Sequence, residues 1–233
     1  MPSSENRLIQ QLPAAVRKQF LQRCEPFELI LSAELSEADC VLSHAYFPRQ
    51  GFISLVINAD SHPPIEVGMV GNEAMLGSEL ILGLAKTPWR ALVQVAGMSW
   101  RIEADALREA SEALPALRSV VQRTLMVRLH QAALAAACER FHMIGPRLAR
   151  WLLMSQDRAK SPSFYVTQEF MALMLGVRRV GVTQAAHDFQ HNGLIEYRRG
   201  ELTVLDRAGL ETEACSCYVA DRALYSELMG QKA

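Results

Sequence analysis

Between Val166 and Ile195 the chain runs VTQEFMALMLGVRRVGVTQAAHDFQHNGLI, a stretch that reads as two short helices with a tight turn between them. Phe170, Met171, Leu173, Met174 and Leu175 make one short apolar helix behind Thr167, a residue suited to capping a helix start. Gly176 ends it, because glycine tolerates φ > 0. Val177 is expected as a buried plug in the turn. A second helix runs from about Arg178 to Asn192, with Val182, Ala185, Ala186 and Phe189 inward at three- and four-residue steps. Its other face holds Arg179, Val180, Thr183, Gln184 and His187. Asn192-Gly193 stops it. Leu194–Tyr197 and Leu202–Leu205 then flank Arg198-Arg199-Gly200-Glu201, which reads as a hairpin with a basic tip.

Helix, glycine turn, helix and hairpin is the plan of a winged helix-turn-helix. An antiparallel helix pair with a charged outer face fits the same spacing. In the winged reading, Arg179 and Gln184 meet base edges and Val180 offers an apolar contact. Thr167, Arg178, Thr183, Arg198 and Arg199 hold phosphates, and Gln168 and His187 complete the DNA-binding set. Gly181 inside a helix costs roughly 1 kcal/mol against alanine. A close approach of the backbone to DNA would account for it.

Net charge does not advertise nucleic acid, being −1 over 233 residues. The balance is local: Arg178–Gly200 holds four arginines and two histidines against Asp188 and Glu196. A DNA-binding face needs a basic patch rather than a basic whole. Half of the chain is apolar, enough for two cores. Five scattered cysteines form no disulfide framework and point to a reducing compartment. The polar start MPSSENRLIQQLP carries no signal peptide, and no apolar run nears 18 residues. A cytoplasmic protein with no membrane partner is expected.

Asn6–Arg23 is predicted helical and divided by Pro13, its stripe being Leu8, Ile9, Leu12, Val16, Phe20 and Leu21. From Cys24 to Ile102 the period changes to short runs: Phe27–Leu31, Ala45–Phe47, Phe52–Ile57, Ile65–Val70, Ala91–Ala96 and Ser99–Ile102. Such runs imply an antiparallel sandwich or barrel, with Asn58–Pro64 as a hairpin turn. Pro115–Glu139 is the most regular helix, roughly 37 Å long. Leu117, Val121, Leu125, Leu129 and Ala132 lie on its stripe, which either packs within the chain or pairs across a two-fold axis. Phe141–Lys160 is a further helix, broken at Gly145-Pro146, the expected domain boundary and hinge. A short strand, Phe164–Val166, leads into the winged unit. Gly209–Leu228 closes the chain as an amphipathic helix.

Thr167, Gly176 and Arg179, with the tail GLIEYRRGELTVLDRAGLE (Gly193–Glu211), resemble the winged-helix domain of the Crp/Fnr family of bacterial transcription regulators, the catabolite-activator type. YFPRQGFISLVI (Tyr46–Ile57) and VGMVGNEAMLG (Val67–Gly77) resemble that family's sensor domain. The resemblance implies an α+β chain with an N-terminal double-stranded β-helix (jelly-roll, cyclic-nucleotide-binding-like), a long dimerisation helix and a C-terminal winged helix-turn-helix. The expected bounds are 1–112, 113–140 and 141–233. It implies a homodimer on a double-stranded DNA operator, with RNA polymerase as a further partner. Effector state would shift the long helices and so the spacing of the two reading helices. The family often has Glu after its reading arginine; this chain has Val180, which alters the expected half-site.

In cyclic-nucleotide-binding members a Gly-Glu pair holds the ribose and an arginine some ten residues on pairs with the phosphate. The matching pocket here is Glu73, Gly77, Ser78, Glu79, Arg90 and Ala91. Ser78 stands where the family has Glu, with Glu79 displaced by one, a rotation of about 100° on a helix. Ala91 replaces the family's small hydroxyl residue. The departures speak against cyclic AMP or cyclic GMP and leave another small ligand, or none. Glu73 and Glu79 otherwise read as solvated loop carboxylates, and Arg90 as a surface residue beside Trp89. Cys24 and Cys40 are too few and too far apart for an iron–sulfur cluster. His44 and His62 are the available haem ligands, and each reads better as an ordinary surface or core histidine. Cys215-x-Cys217 has no His or second Cys pair near it in sequence, so no metal is expected. Without His-x-His, a paired carboxylate or a nucleophile–base arrangement, no enzyme is expected. The alternatives are a cyclic-nucleotide-responsive regulator that retains cyclic AMP or cyclic GMP binding, and a cyclic-nucleotide-gated interaction module that uses the winged helix for protein contact.

Overall fold

The computed structural model describes residues 5–58, 60 and 62–230. Two short helices, α1 (Arg7–Gln10) and α2 (Ala14–Leu21), open the chain on either side of Pro13, as expected. Asn6 is fully buried and holds this start in place. Its side-chain oxygen accepts from the amides of Leu8 and Ile9. Its amide donates to the carbonyls of Pro48 and Ala74, at 2.9 and 2.8 Å.

Seven strands follow: β1 (Glu25–Leu29), β2 (Glu34–Ser36), β3 (His44–Pro48), β4 (Phe52–Ile57), β5 (Ile65–Val70), β6 (Arg90–Val95) and β7 (Gly97–Glu103). They form two sheets, β1-β7-β3 and β2-β6-β4-β5, the jelly-roll arrangement expected. Strand β7 pairs antiparallel with β1 and β3, and β6 with β2 and β4. Edge strand β2 was not anticipated: at three residues, with a register irregularity, it leaves little periodicity to read. The expected Asn58–Pro64 turn lies partly outside the described residues. A 3₁₀ turn, Ser78–Leu82, separates β5 from β6.

Helix α3 (Ala104–Ala113) leads into α4 (Pro115–Phe141), two residues longer than predicted and about 40 Å long at 1.5 Å per residue. Then come α5 (Ile144–Ala159), β8 (Ser163–Tyr165), α6 (Gln168–Met174), α7 (Arg179–His191), β9 (Ile195–Arg198), β10 (Glu201–Val204), α8 (Arg207–Glu213) and α9 (Cys217–Met229). The break between α4 and α5 falls at His142-Met143. Gly145 and Pro146 sit in the first turn of α5, where a missing amide leaves no bond unmade.

Contacts divide the chain into two compact units, Met1–Ile57 with Gly68–Leu129 and Asn58–Val67 with His130–Ala233, so the division falls inside α4. The first unit's core holds Leu29, Phe47, Phe52, Ile53, Met75, Leu80 and Leu107. Leu117 and Val121 are also buried there, at 2% and 0% exposure. These two were expected at a dimer contact; the chain has already covered them. Leu129, at 64% exposure, and Ala132 remain open, and Leu125 is half-buried.

The second unit is built around Leu148, Leu152, Met171, Val182, Phe189, Leu202 and Leu210. Arg207 fastens α8: it donates to Gln156 on α5 at 2.7 Å and to Asp157 at 2.8 Å. The hydroxyl of buried Tyr218, on α9, donates to the same Asp157 at 2.8 Å. Among the described residues no helix is long and apolar enough to cross a membrane.

Candidate nucleic-acid interface

The segment from α6 to β10 is built as its sequence pattern requires. Thr167 caps α6, its hydroxyl oxygen accepting from the Phe170 amide at 3.1 Å. Gly176 takes φ +61 in the turn, a conformation that disfavours other residues. Arg147, buried on α5, donates to the Leu175 carbonyl at the end of α6 and supplies the partner that a helix terminus lacks. Val177 is half-buried rather than the sealed plug expected, because it stands at the rim of the turn.

Val182, Ala185, Ala186 and Phe189 of α7 are buried, and Arg179, Val180, Thr183, Gln184 and His187 are exposed, as the spacing predicts. Val180 is 73% exposed, an apolar side chain standing in water. Arg178 is the residue before α7, and no side chain caps that helix start. A helix start without a side-chain cap is the kind of place where an anion binds. The Thr183 hydroxyl lies 2.8 Å from Gln168 Oε1 and 3.0 Å from the Arg179 carbonyl oxygen, so it ties the two helices together. Gln184 donates to Asp188 at 2.9 Å, and the His187 and His191 rings stack 6.5 Å apart.

Gly181 faces Ile144 of α5. A Cβ there would stand 2.5 Å from Ile144 Cδ1, so the missing side chain lets α7 pack close against α5.

The wing is a two-residue hairpin. Arg199 and Gly200 have φ +54 and +87, and Arg198 pairs with Glu201, which is the primed turn that suits twisted strands. Arg198 and Arg199 are exposed at its tip. A Cβ on Gly200 would lie 2.5 Å from the Tyr165 ring. Tyr197 donates from its hydroxyl to the Val166 carbonyl at 3.0 Å and holds the wing to β8.

The expected effector pocket is organised otherwise than its sequence suggested. Gly77 takes φ +89 and opens the 3₁₀ turn against Ala45. Glu73 takes the Gly71 amide at 3.3 Å. Ser78 and Glu79 are buried, at 0% and 5% exposure, so Glu79 is no solvated carboxylate. Arg90 turns away to the surface, where its fork meets both carboxylate oxygens of Glu34 at 3.0 Å. Beside it, Ala91 is buried. A cation from another element takes the inner position. Arg128 of α4 donates to Ser78 Oγ at 2.9 Å, stands 4.0 Å from Glu79 Oε2 and lies over the Trp89 ring. Burial holds the Arg128 guanidinium below its ordinary value, and the Glu79 charge opposes this. Sequence reading missed Arg128 because a lone arginine on a helix gives no sign of where it points.

Cys215-x-Cys217 is not the isolated pair that its sequence suggested. Cys138 and His142, more than 70 residues earlier, stand beside the pair, and the four side chains form one cluster. Chain separation hid this, because α4 and α9 meet only in the folded unit. A hydrogen bond from Cys138 lowers the Cys215 thiol below its ordinary value.

Residues 146–213 match the family model described as the Crp-like helix-turn-helix domain. No curated relative matches the chain. Among solved structures, FixK2 from Bradyrhizobium japonicum is similar at 13% identity and a TM-score of 0.70, over 83% of this chain and 98% of its own. CLP from Xanthomonas campestris, described as a c-di-GMP responsive global regulator, follows at 15% identity and 0.66, over 82% and 99%. A CRP-family transcriptional regulator from Thermus thermophilus matches at 21% identity and 0.64, over 81% and 96%. Residues 146–213 therefore belong to the Crp-like helix-turn-helix family, and the chain carries them within the fold of the Crp/Fnr transcription regulators.

Proposed function

We propose that this protein is a sequence-specific regulator that grips its operator as a homodimer and works in the cytoplasm, where such DNA lies. The observation that carries the reading is the open outer face of α7, with Arg179, Val180, Gln184 and His187 exposed inside a Crp-like domain. Arg179 and Gln184 read base edges, and Val180 suits a thymine methyl group. Arg178, the uncapped start of α7 and the wing arginines Arg198 and Arg199 hold phosphates. Thr167, Gln168 and Thr183 keep the two helices in register beside them. RNA polymerase is the partner through which a bound regulator would act.

Homodimerisation uses the open stripe of α4: Met126, Leu129, Ala133 and Ala136 are exposed at three- and four-residue spacing. The effector domain has given up cyclic AMP and cyclic GMP. Arg128 hydrogen-bonds Ser78 and sets its charge 4.0 Å from Glu79, and Arg90 is occupied by Glu34. The Arg90 fork is taken up by Glu34 and is not free for a cyclic phosphate, while Arg128 reaches Ser78 through one nitrogen.

Selection from a random duplex pool identifies the operator. Arg179→Ala then costs about 1–3 kcal/mol of affinity for that site and relaxes preference at one base pair. An Arg179→Ala protein that binds as tightly as the parent overturns the assignment. Calorimetry with cyclic AMP, cyclic GMP and cyclic di-GMP tests the sensor. No heat is expected from the first two, and saturable binding of either returns the pocket to a nucleotide site.

A further inference from the structure

The Cys138, His142, Cys215 and Cys217 cluster is a donor set that the DNA-binding reading does not use. Cys138 and His142 stand four apart, on one face at the end of α4. The His142 amide still donates to the Cys138 carbonyl at 3.1 Å, which carries the helical turn to the histidine. Cys215 and Cys217 flank Ser216 at the start of α9. The turn is fixed by the Tyr218 amide on the Cys215 carbonyl, at 3.0 Å, and by the Cys215 amide on the Pro146 carbonyl, at 3.4 Å. All four side chains therefore project from ordered backbone of one compact unit.

Their spacing is that of ligands around one ion. Cys138 Sγ and Cys215 Sγ are 3.5 Å apart, Cys217 Sγ and His142 Nδ1 are 3.6 Å apart, and all four donor atoms lie within 4.8 Å of one another. A tetrahedral zinc ion with arms of about 2.3 Å to sulfur sets neighbouring ligand atoms about 3.8 Å apart. An iron–sulfur cluster interposes several metal atoms and needs its thiolates farther apart. The three cysteines are buried, at 1%, 7% and 5% exposure, with Leu134 packed against them. Three thiolates and a neutral imidazole around a divalent ion carry one net negative charge. Arg150 of α5, whose buried Nε has no hydrogen-bond partner, is a cation whose charge acts on Cys138 and Cys217 and would offset part of it.

We propose that Cys138, His142, Cys215 and Cys217 form a closed, tetrahedral site for a thiophilic divalent metal ion, zinc first, that fastens α9 to the end of α4. The soft sulfur-rich set excludes magnesium and calcium. With no open coordination position the site is structural rather than catalytic. Binding forms three metal–sulfur bonds and one metal–nitrogen bond and releases the three thiol protons to solvent. No electron changes hands.

The test uses the full chain, reduced and stripped of metal without oxygen. Zinc titrated against a chromogenic chelator is expected to bind at one ion per chain, tighter than about 1 µM. Cobalt in its place gives the visible bands of a tetrahedral ion and charge-transfer absorption from three thiolates. Cys217→Ser weakens zinc more than about 100-fold, since loss of a ligand exceeds the loss of an outer partner. Cys40→Ser, at an exposed site elsewhere, leaves binding unchanged. Alkylation followed by peptide mass mapping needs no variant: zinc protects Cys138, Cys215 and Cys217 and leaves Cys40 reactive. Binding weaker than about 1 µM, or one ion retained by a Cys138→Ser/Cys217→Ser double variant, overturns the proposal. So does a Cys138–Cys215 disulfide that forms in air equally fast with and without zinc, because that marks a redox pair.

Discussion

Arg128 is the residue on which the first unit is expected to depend most. Its guanidinium is buried, donates to Ser78 and faces Glu79, whose other oxygen, Oε1, has no hydrogen-bond partner. A lone arginine removed from such a pair leaves a buried carboxylate unpaired, which costs about 3–5 kcal/mol. Arg128→Met is therefore expected to lower stability by that order in urea denaturation. Glu79→Gln on top of it removes the orphaned charge and returns a large share. The cycle of single and double variants measures a coupling above about 1 kcal/mol. Strictly additive costs would mean that Arg128 acts through packing on Trp89 alone. Surface pairs such as Arg90–Glu34, open to solvent and screened by salt, are worth about 0–1 kcal/mol. Which arginine faced inward was thus the energetic question: family spacing offered Arg90, the alternative reading of Arg90 as a surface residue is the one that fits, and Arg128 went unseen because motif spacing ranks positions along the chain and not across it.

At the scale of elements, the wing is a hairpin whose turn admits few residues. Gly200→Ala puts a side chain at φ +87 and drives its Cβ into the Tyr165 ring. The left-handed backbone alone costs about 1–2 kcal/mol. Hydrogen exchange at β9 and β10 should accelerate by about 5- to 30-fold. Unchanged exchange would show that the turn has a second conformation available. Thr167→Ala removes the cap of a seven-residue helix and is expected to cost about 1 kcal/mol, read by urea midpoint. These elements were legible beforehand. Cap, apolar period, stop glycine and hairpin residues are local signals, and for α6, α7 and the wing they agreed with one another. Helix α4 was legible as a helix but not in its facing. Leu117, Val121 and Leu129 fall on one stripe by spacing, yet the first two are buried in the chain and the third is exposed. A period reports that a helix has an apolar side, not which partner covers each turn of it. The Cys/His cluster was illegible for a related reason: two ligand pairs with ordinary spacings become a site only when α4 and α9 meet. Gly181 shows the converse, a local oddity that meets Ile144 on another helix.

For the whole molecule the decisive quantity is valence. In the proposed dimer each α7 reads one half-site, and two half-sites a helical turn apart give a linked pair an affinity gain of about 10²–10⁴. Leu129→Glu places a charge on the open stripe of α4 at a position already 64% exposed. A surface change of that kind alters protomer stability by about 0.5 kcal/mol or less, so the variant stays folded. Sedimentation is expected to show the parent as a dimer and the variant as a monomer. Operator affinity should fall by about 10²–10⁴ while the affinity for a single half-site stays level. Salt then separates the contributions. The slope of log affinity against log salt reports released phosphate contacts, about 0.9 for each, so halving the valence halves the slope. Arg199→Ala lowers it by about two in the dimer, one for each wing, and by about one in the Leu129→Glu monomer. A parent protein that sediments as a monomer and binds a two-half-site operator no better than one half-site would rule out the dimer and leave a single proposed reading helix acting alone.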